Sequence, residues 1–160
     1  MATAPDIATL FAADIAIEEA WAGILNPALV GIAAAAIAFS DNVKSTPYVE
    51  IEFEETQVTD HVHIFNGFQY RDTVRGSLVT RVCTTRGVDS DQQKLIVGVV
   101  RAAAQDWREK FNTDVLPYWG INLFTETGLK RYVDAENRLD KTELRYHVHF
   151  NIRPDAWPVG

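Results

Sequence analysis

Cysteine occurs once in these 160 residues, at Cys83. That excludes an internal disulfide and any zinc site of the four-cysteine kind. Basic residues are scarce as well: 15 Lys and Arg stand against 22 Asp and Glu, for a net charge of −7. Such a balance excludes a domain that grips nucleic acid by broad attraction to phosphate. The phosphate-cradling glycine loop is missing, because Gly67 and Gly87 stand alone with no Gly-Lys-Ser/Thr behind them. The Gly-x-Ser-x-Gly nucleophile elbow is missing too. One uncharged run, Ala20–Ser40, has the length of a membrane span, but Asn26-Pro27 interrupts it and much of the rest is Ala and Gly. Its flanks are Glu18-Glu19 and Asp41, with no basic cluster to orient a span and no positive residue ahead of it to make a signal peptide. The run reads as buried structure, with no membrane partner.

What is present is ordinary for a globular domain: 47% apolar and 23% charged residues in a length that suits one unit, 1–160. The charge is lopsided. Residues 1–60 carry ten acids and one base, Lys44, a balance of −9, while residues 61–160 carry twelve acids and fourteen bases, a balance of +2; together these give the −7 of the whole chain. Asymmetry of this sort suggests complementary faces, as in a protein that meets copies of itself or neighbours on two sides, or else two elements with differently charged solvent faces.

The pattern of residues predicts an N-terminal helical part at about 4–34, followed by an α+β core at about 35–154. Thr3 as N-cap and Pro5 in the first turn open a helix whose face is Leu10, Ala13, Ile17, Trp21 and Ile24, ending at Asn26-Pro27. From Tyr48 the period becomes two, with Val49, Ile51 and Phe53 opposite Glu50, Glu52 and Glu54. A short strand is expected around His61–Phe65 before the Asn66-Gly67 turn, and another at Ser77–Thr85 before Arg86-Gly87. Ser90 and Gln93 form a capping-box pattern ahead of a long helix with Leu95, Ile96, Val99, Val100, Ala103, Trp107 and Phe111 inward. Two strands close the chain, Ile121–Thr127 and Leu144–Arg153, joined by a charged connection at Gly128–Lys141. The fold class is α+β, a mainly antiparallel sheet carrying an N-terminal helix and one long helix.

All four histidines fall into two His-x-His pairs, His61/His63 and His147/His149. Residues i and i+2 share a strand face, so neighbouring strands could gather four imidazoles around one metal ion. The acidic ligand that a metal-bearing cupin barrel supplies a few residues on is missing, since Ile64, Phe65, Asn66 and Gly67 follow and the next acid is Asp72. The pairs are therefore read as polar residues on outer strand faces, with no cofactor and no metal expected. Glu50, Glu52 and Glu54 read as a solvated row, suited also to a surface past which DNA slides without sticking. Cys83 has no histidine near it in sequence and reads as inert. Tyr118, Trp119 and Trp157 are candidate interface anchors. No set of residues assembles a convincing catalytic site, so an enzyme is not expected.

In its order of features the chain resembles the tail terminator (tail-completion) proteins of long-tailed bacteriophages and phage-derived particles. The resemblance runs from the amphipathic N-terminal helix into Ile37-Ala38-Phe39-Ser40-Asp41-Asn42 and on to Thr46-Pro47-Tyr48-Val49-Glu50-Ile51. It continues through Arg75-Gly76-Ser77-Leu78-Val79-Thr80-Arg81-Val82 and Thr85-Arg86-Gly87 to the long helix and the final hairpin. The longer, Ala-rich N-terminal part departs from shorter members. The resemblance implies a ring-forming subunit, a hexamer, that caps the tail tube and ends its polymerisation. It implies partners in the tail tube protein and in a head-completion or connector protein, with DNA only passing through the lumen. The implied location is the virion tail or neck, after assembly in the host cytoplasm, and no cofactor or catalytic residue is carried over. Another neck or head–tail connector subunit is the alternative, and a metal-binding enzyme domain built on the histidines a further one. Seven of the fourteen residues of Gly128–Lys141 are charged, and the segment is expected to be a mobile arm that orders against a neighbour. Lys130, Arg131, Tyr132, Asp134, Glu136 and Arg138 are its interface candidates.

Overall fold

The computed structural model describes residues 13–38, 45–57, 62–65, 68–71, 73–87, 90–110 and 119–152. Helix α1 (Ala13–Ala28) comes first, followed by strands β1 (Ala34–Ile37), β2 (Tyr48–Gln57), β3 (Val62–Phe65), β4 (Phe68–Arg71) and β5 (Thr73–Thr85). Helix α2 (Ser90–Lys110) and the hairpin of β6 (Trp119–Asp134) with β7 (Leu139–Ile152) complete the chain. Five strands form one sheet in the order β1-β2-β5-β7-β6, and β3 with β4 forms a separate two-stranded sheet. Only β1 and β2 run parallel; the other neighbours are antiparallel. This is the α+β arrangement that the alternation of periods predicts.

Both helices pack on one face of the sheet. Ile17, Trp21, Leu25 and Leu29 recur every four residues and are fully buried, a stripe in which Leu25 and Leu29 replace the expected Ile24. Ile96, Val97, Val100, Ala103, Ala104 and Trp107 bury the facing side of α2. Between them and the sheet lie Val49, Ile51 and Phe53 of β2, Leu78 and Val82 of β5, Leu144, Tyr146 and Val148 of β7, and Phe124 of β6. Trp21 stacks on Trp107 at a centroid distance of 5.0 Å, and Phe124 stacks on Tyr146 at 4.8 Å. Each such ring withdraws about 150–250 Å² from water, the largest single contributions in the core. The Trp21 indole N–H donates to Thr80 Oγ1 at 3.0 Å, so the polar end of that ring is satisfied within the core.

The chain corrects two local expectations. Leu95 is exposed rather than inward, because it lies on the side of α2 turned from the sheet. Gln93 does not fold back into a capping box: its amide donates to Thr84 Oγ1 and to the Asp140 carbonyl and accepts from Thr142 Oγ1, tying α2 to β5 and β7. The sheet begins at Ala34, close to the expected start of the α+β core. After the turn at Gly31 (φ 77), β1 joins the sheet beside β2, and the Asn26 side chain bonds both the N–H and the carbonyl of Ala35. The expected helix start at Thr3 lies outside the described residues, as do Tyr118, Trp157 and the Trp119 side chain.

Candidate functional site

The face of the sheet away from the helices is where the residues singled out in the sequence converge. Alternation along β2 places Glu50, Glu52 and Glu54 on it, and the register sets Arg81 of β5 opposite Glu50 and Glu143 of β7 opposite Arg81. The carboxylates are not a bare row. Arg81 Nη1 donates to Glu50 at 3.1 Å and to Glu52 at 2.8 Å, while its Nε donates to Glu143 at 3.2 Å. The other oxygen of Glu143 accepts from Arg145 Nε at 3.2 Å, and Arg145 Nη1 reaches Glu54 at 3.0 Å. Six charged side chains from three strands thus form one continuous lattice. Burial alone would make Arg81 easier to deprotonate, but bonds and charge from Glu52, Glu143 and Glu50 outweigh it and raise its pKa. Beneath the lattice Val79 and Cys83 are fully buried, because the register places Val79 between Glu52 and Arg145 and Cys83 between Tyr48 and Lys141. Burial, then the neighbouring Cys83, raises the Tyr48 hydroxyl pKa.

Further along β7 the Nε2 atoms of His147 and His149 come within 2.8 Å, with the rings edge to face. Burial, then the charges of His147 and Arg75, lower the His149 pKa. The other pair is not brought beside this one in a shared sheet. His63 lies on β3, opposite Tyr70 in the separate hairpin, so the neighbouring strands needed for a four-histidine site do not form. His61 lies outside the described residues. Among the described residues no group of three or more His, Cys, Asp or Glu is placed to hold a metal ion.

The stretch Gly128–Lys141 is strand for most of its length, which corrects its reading as a connection and an arm. Lys130 faces Glu143 and Tyr132 faces Lys141 across the β6–β7 ladder, and only residues 135–138 turn. Asp134 closes that turn by accepting from the Asn137 backbone at 3.2 Å and its amide at 2.9 Å, which holds the carboxyl below its usual range. Lys141 Nζ also reaches it, at 3.2 Å. Arg138 takes the left-handed conformation (φ 54) and accepts from Arg86 N–H, so the tip is pinned to the corner after β5. A shallow polar cleft of about 750 Å³ lies between this tip and the start of β2, lined by Thr46, Tyr48, Glu50, Thr85, Arg138 and Lys141. Of the interface candidates, Lys130, Arg131, Glu136 and Arg138 are exposed, while Tyr132 and Asp134 are half-buried.

Sequence reasoning missed Glu18 on α1. Its Oε2 accepts from Phe53 N–H at 3.4 Å, past the end of β1, where no strand among the described residues pairs with β2 on that side. Burial raises its pKa to about 7 against an ordinary 4.5. The signal was an acid beside Ile17 on a helix with an apolar stripe. No helix among the described residues is long and apolar enough to cross a membrane. Compared with known proteins, the chain matches no family model and no curated protein.

Proposed function

We propose that this chain is the tail terminator subunit of a long-tailed bacteriophage or phage-derived particle. In this reading it closes into a ring on the tail tube, ends tube polymerisation and offers the surface to which the filled head joins. The observation that carries the proposal is the terminal hairpin. Its strand β6 runs 16 residues along the edge of the sheet, and residues 125–131 of it are exposed. Single-copy domains blunt such edges with short strands or a covering element, so a long edge left open among the described residues suits a subunit completed by its neighbours. The order of elements also follows the resemblance: helix, β2, β5, long helix, final hairpin. The charge lattice adds a second support, since carboxylates interleaved with Arg81 and Arg145 offer passing DNA no broad basic surface.

Electron microscopy of the purified protein, alone and with tail tubes of its own particle, tests this. The expected image is a ring with a central hole, at six times 17.9 kDa, about 107 kDa for a hexamer. A tight two-fold dimer that persists at high concentration would overturn the ring. A ring that binds the head connector but never the tube end would move the subunit to the neck.

A further inference from the structure

The lopsided charge of the sequence becomes, in the fold, two oppositely charged ends of one sheet. At one end, α1 lies against β1 and β2 and carries Asp14, Glu18 and Glu19, with no Lys or Arg anywhere in residues 13–38. Asp14 and Glu19 are exposed, and among the described residues neither meets a base. Between them in the helix, Ile15 is 53% exposed and lies one turn from Glu19. At the other end of the strand order, the fourth strand along from β1, stands β6. Its acid Glu126 is taken up by Arg101 of α2 at 2.9 Å, and Asp134 by Lys141. Lys130, Arg131 and Arg138 make no ion pair among the described residues. On the helix side of β6, Arg131 alternates with Leu129 and Val133, which are 39% and 51% exposed.

The two strips therefore match in both respects. One places an apolar residue among acids, the other a base between apolar residues. We infer that the β6 strip of one copy of this chain docks on the acidic α1 strip of the next copy, and that this head-to-tail contact is the repeating interface of the ring; the inference rests on the ring reading above. The occupant is a second copy because the complementary surface is on the same chain, at the opposite end. A contact joining unlike patches repeats by rotation and closes into a ring. Simple extension of the sheet is disfavoured at the α1 end, since β1 is four residues long and Asn26 already occupies the polar groups of Ala35.

Two double variants decide the matter. Lys130→Glu with Arg131→Glu makes both strips acidic, and Asp14→Lys with Glu19→Lys makes both strips basic. Each variant alone should need at least about tenfold more protein than wild type to assemble, as read by native mass spectrometry and light scattering, because like charges then face each other. The equimolar mixture should recover assembly with the two variants alternating, since every contact in it joins an acidic strip to a basic one. Circular dichroism melts verify that both variants fold; all four positions are exposed. Variants that assemble alone as wild type does, or a mixture that recovers nothing, would overturn this interface while leaving the ring standing. A wild-type chain that stays monomeric at every concentration, with and without tail tubes, would overturn the ring and the interface together.

Discussion

His147 and His149 share a hydrogen bond of 2.8 Å between their Nε2 atoms, so one ring must carry its proton there and the other must not. Both rings cannot be protonated in this geometry. The guanidinium of Arg75 stands close enough to add to the penalty on His149. Ser77 and Thr125 flank His147 in the ladder, and Leu123 flanks His149.

Acid should therefore loosen this end of β7. The pKa of His149 lies below its ordinary 6.5, so between the two values the unfolded chain binds more protons than the folded one. The stabilising contribution is present above about pH 6.5 and is lost as pH falls through the folded value. Thermal melts at pH 8 and pH 5 should show a drop that shrinks in His147→Asn, which removes the opposing ring. An unchanged drop in that variant would place the acid sensitivity elsewhere.

Glu18 works in the opposite sense. Its folded pKa of about 7 lies above the ordinary 4.5, so its contribution is fully present below pH 4.5 and is lost as pH rises through 7. Because the group keeps partial contact with water, the effect is about 1 kcal/mol rather than the full linkage value. Glu18→Gln keeps an acceptor for Phe53 N–H and should melt higher than wild type at pH 8, with no gain at pH 5.

Removing Arg81 leaves Glu50, Glu52 and Glu143 facing one another with their shared cation gone. Arg81→Met should cost about 3 kcal/mol in denaturant unfolding. Adding Glu52→Gln should return part of that loss, because it removes one of the stranded charges. Equal melting of the single and double variants would show that the lattice acts only through packing.

Gly76 has no room for a side chain: an added Cβ would press on the Glu54 carbonyl and the Phe53 ring. Gly76→Ala should destabilise by about 2–3 kcal/mol. Phe53→Leu in the same chain should relieve only part of the strain, since the backbone carbonyl remains.

Much of the fold was legible because burial on one face imposes a period. Val49, Ile51 and Phe53 against the three glutamates, and Leu144, Tyr146 and Val148 against Arg145 and the histidines, give two strands and their faces directly. The β6–β7 tip was not legible for the same reason. Near the tip β6 is exposed on both faces, so Lys130, Arg131 and Val133 show no alternation and resemble a loop. The Ala-rich β1 carries almost no signal of its own and is fixed by β2 and Asn26. The partners of the glutamate row lie 29 and more residues away in the chain, and only strand register brings them together. Glu18 was hidden because the burial that raises its pKa comes from tertiary packing, which no spacing along α1 reveals.

Cys83 gives the molecule a chemical clock. The only thiol in the chain sits fully covered under the charged face of the sheet, so a thiol reagent reaches it only when that face opens. The rate of labelling then times the opening of the central strands without any introduced probe. Any neighbour, ligand or ionic condition that holds the face shut is read out as a slower reaction at a single native atom.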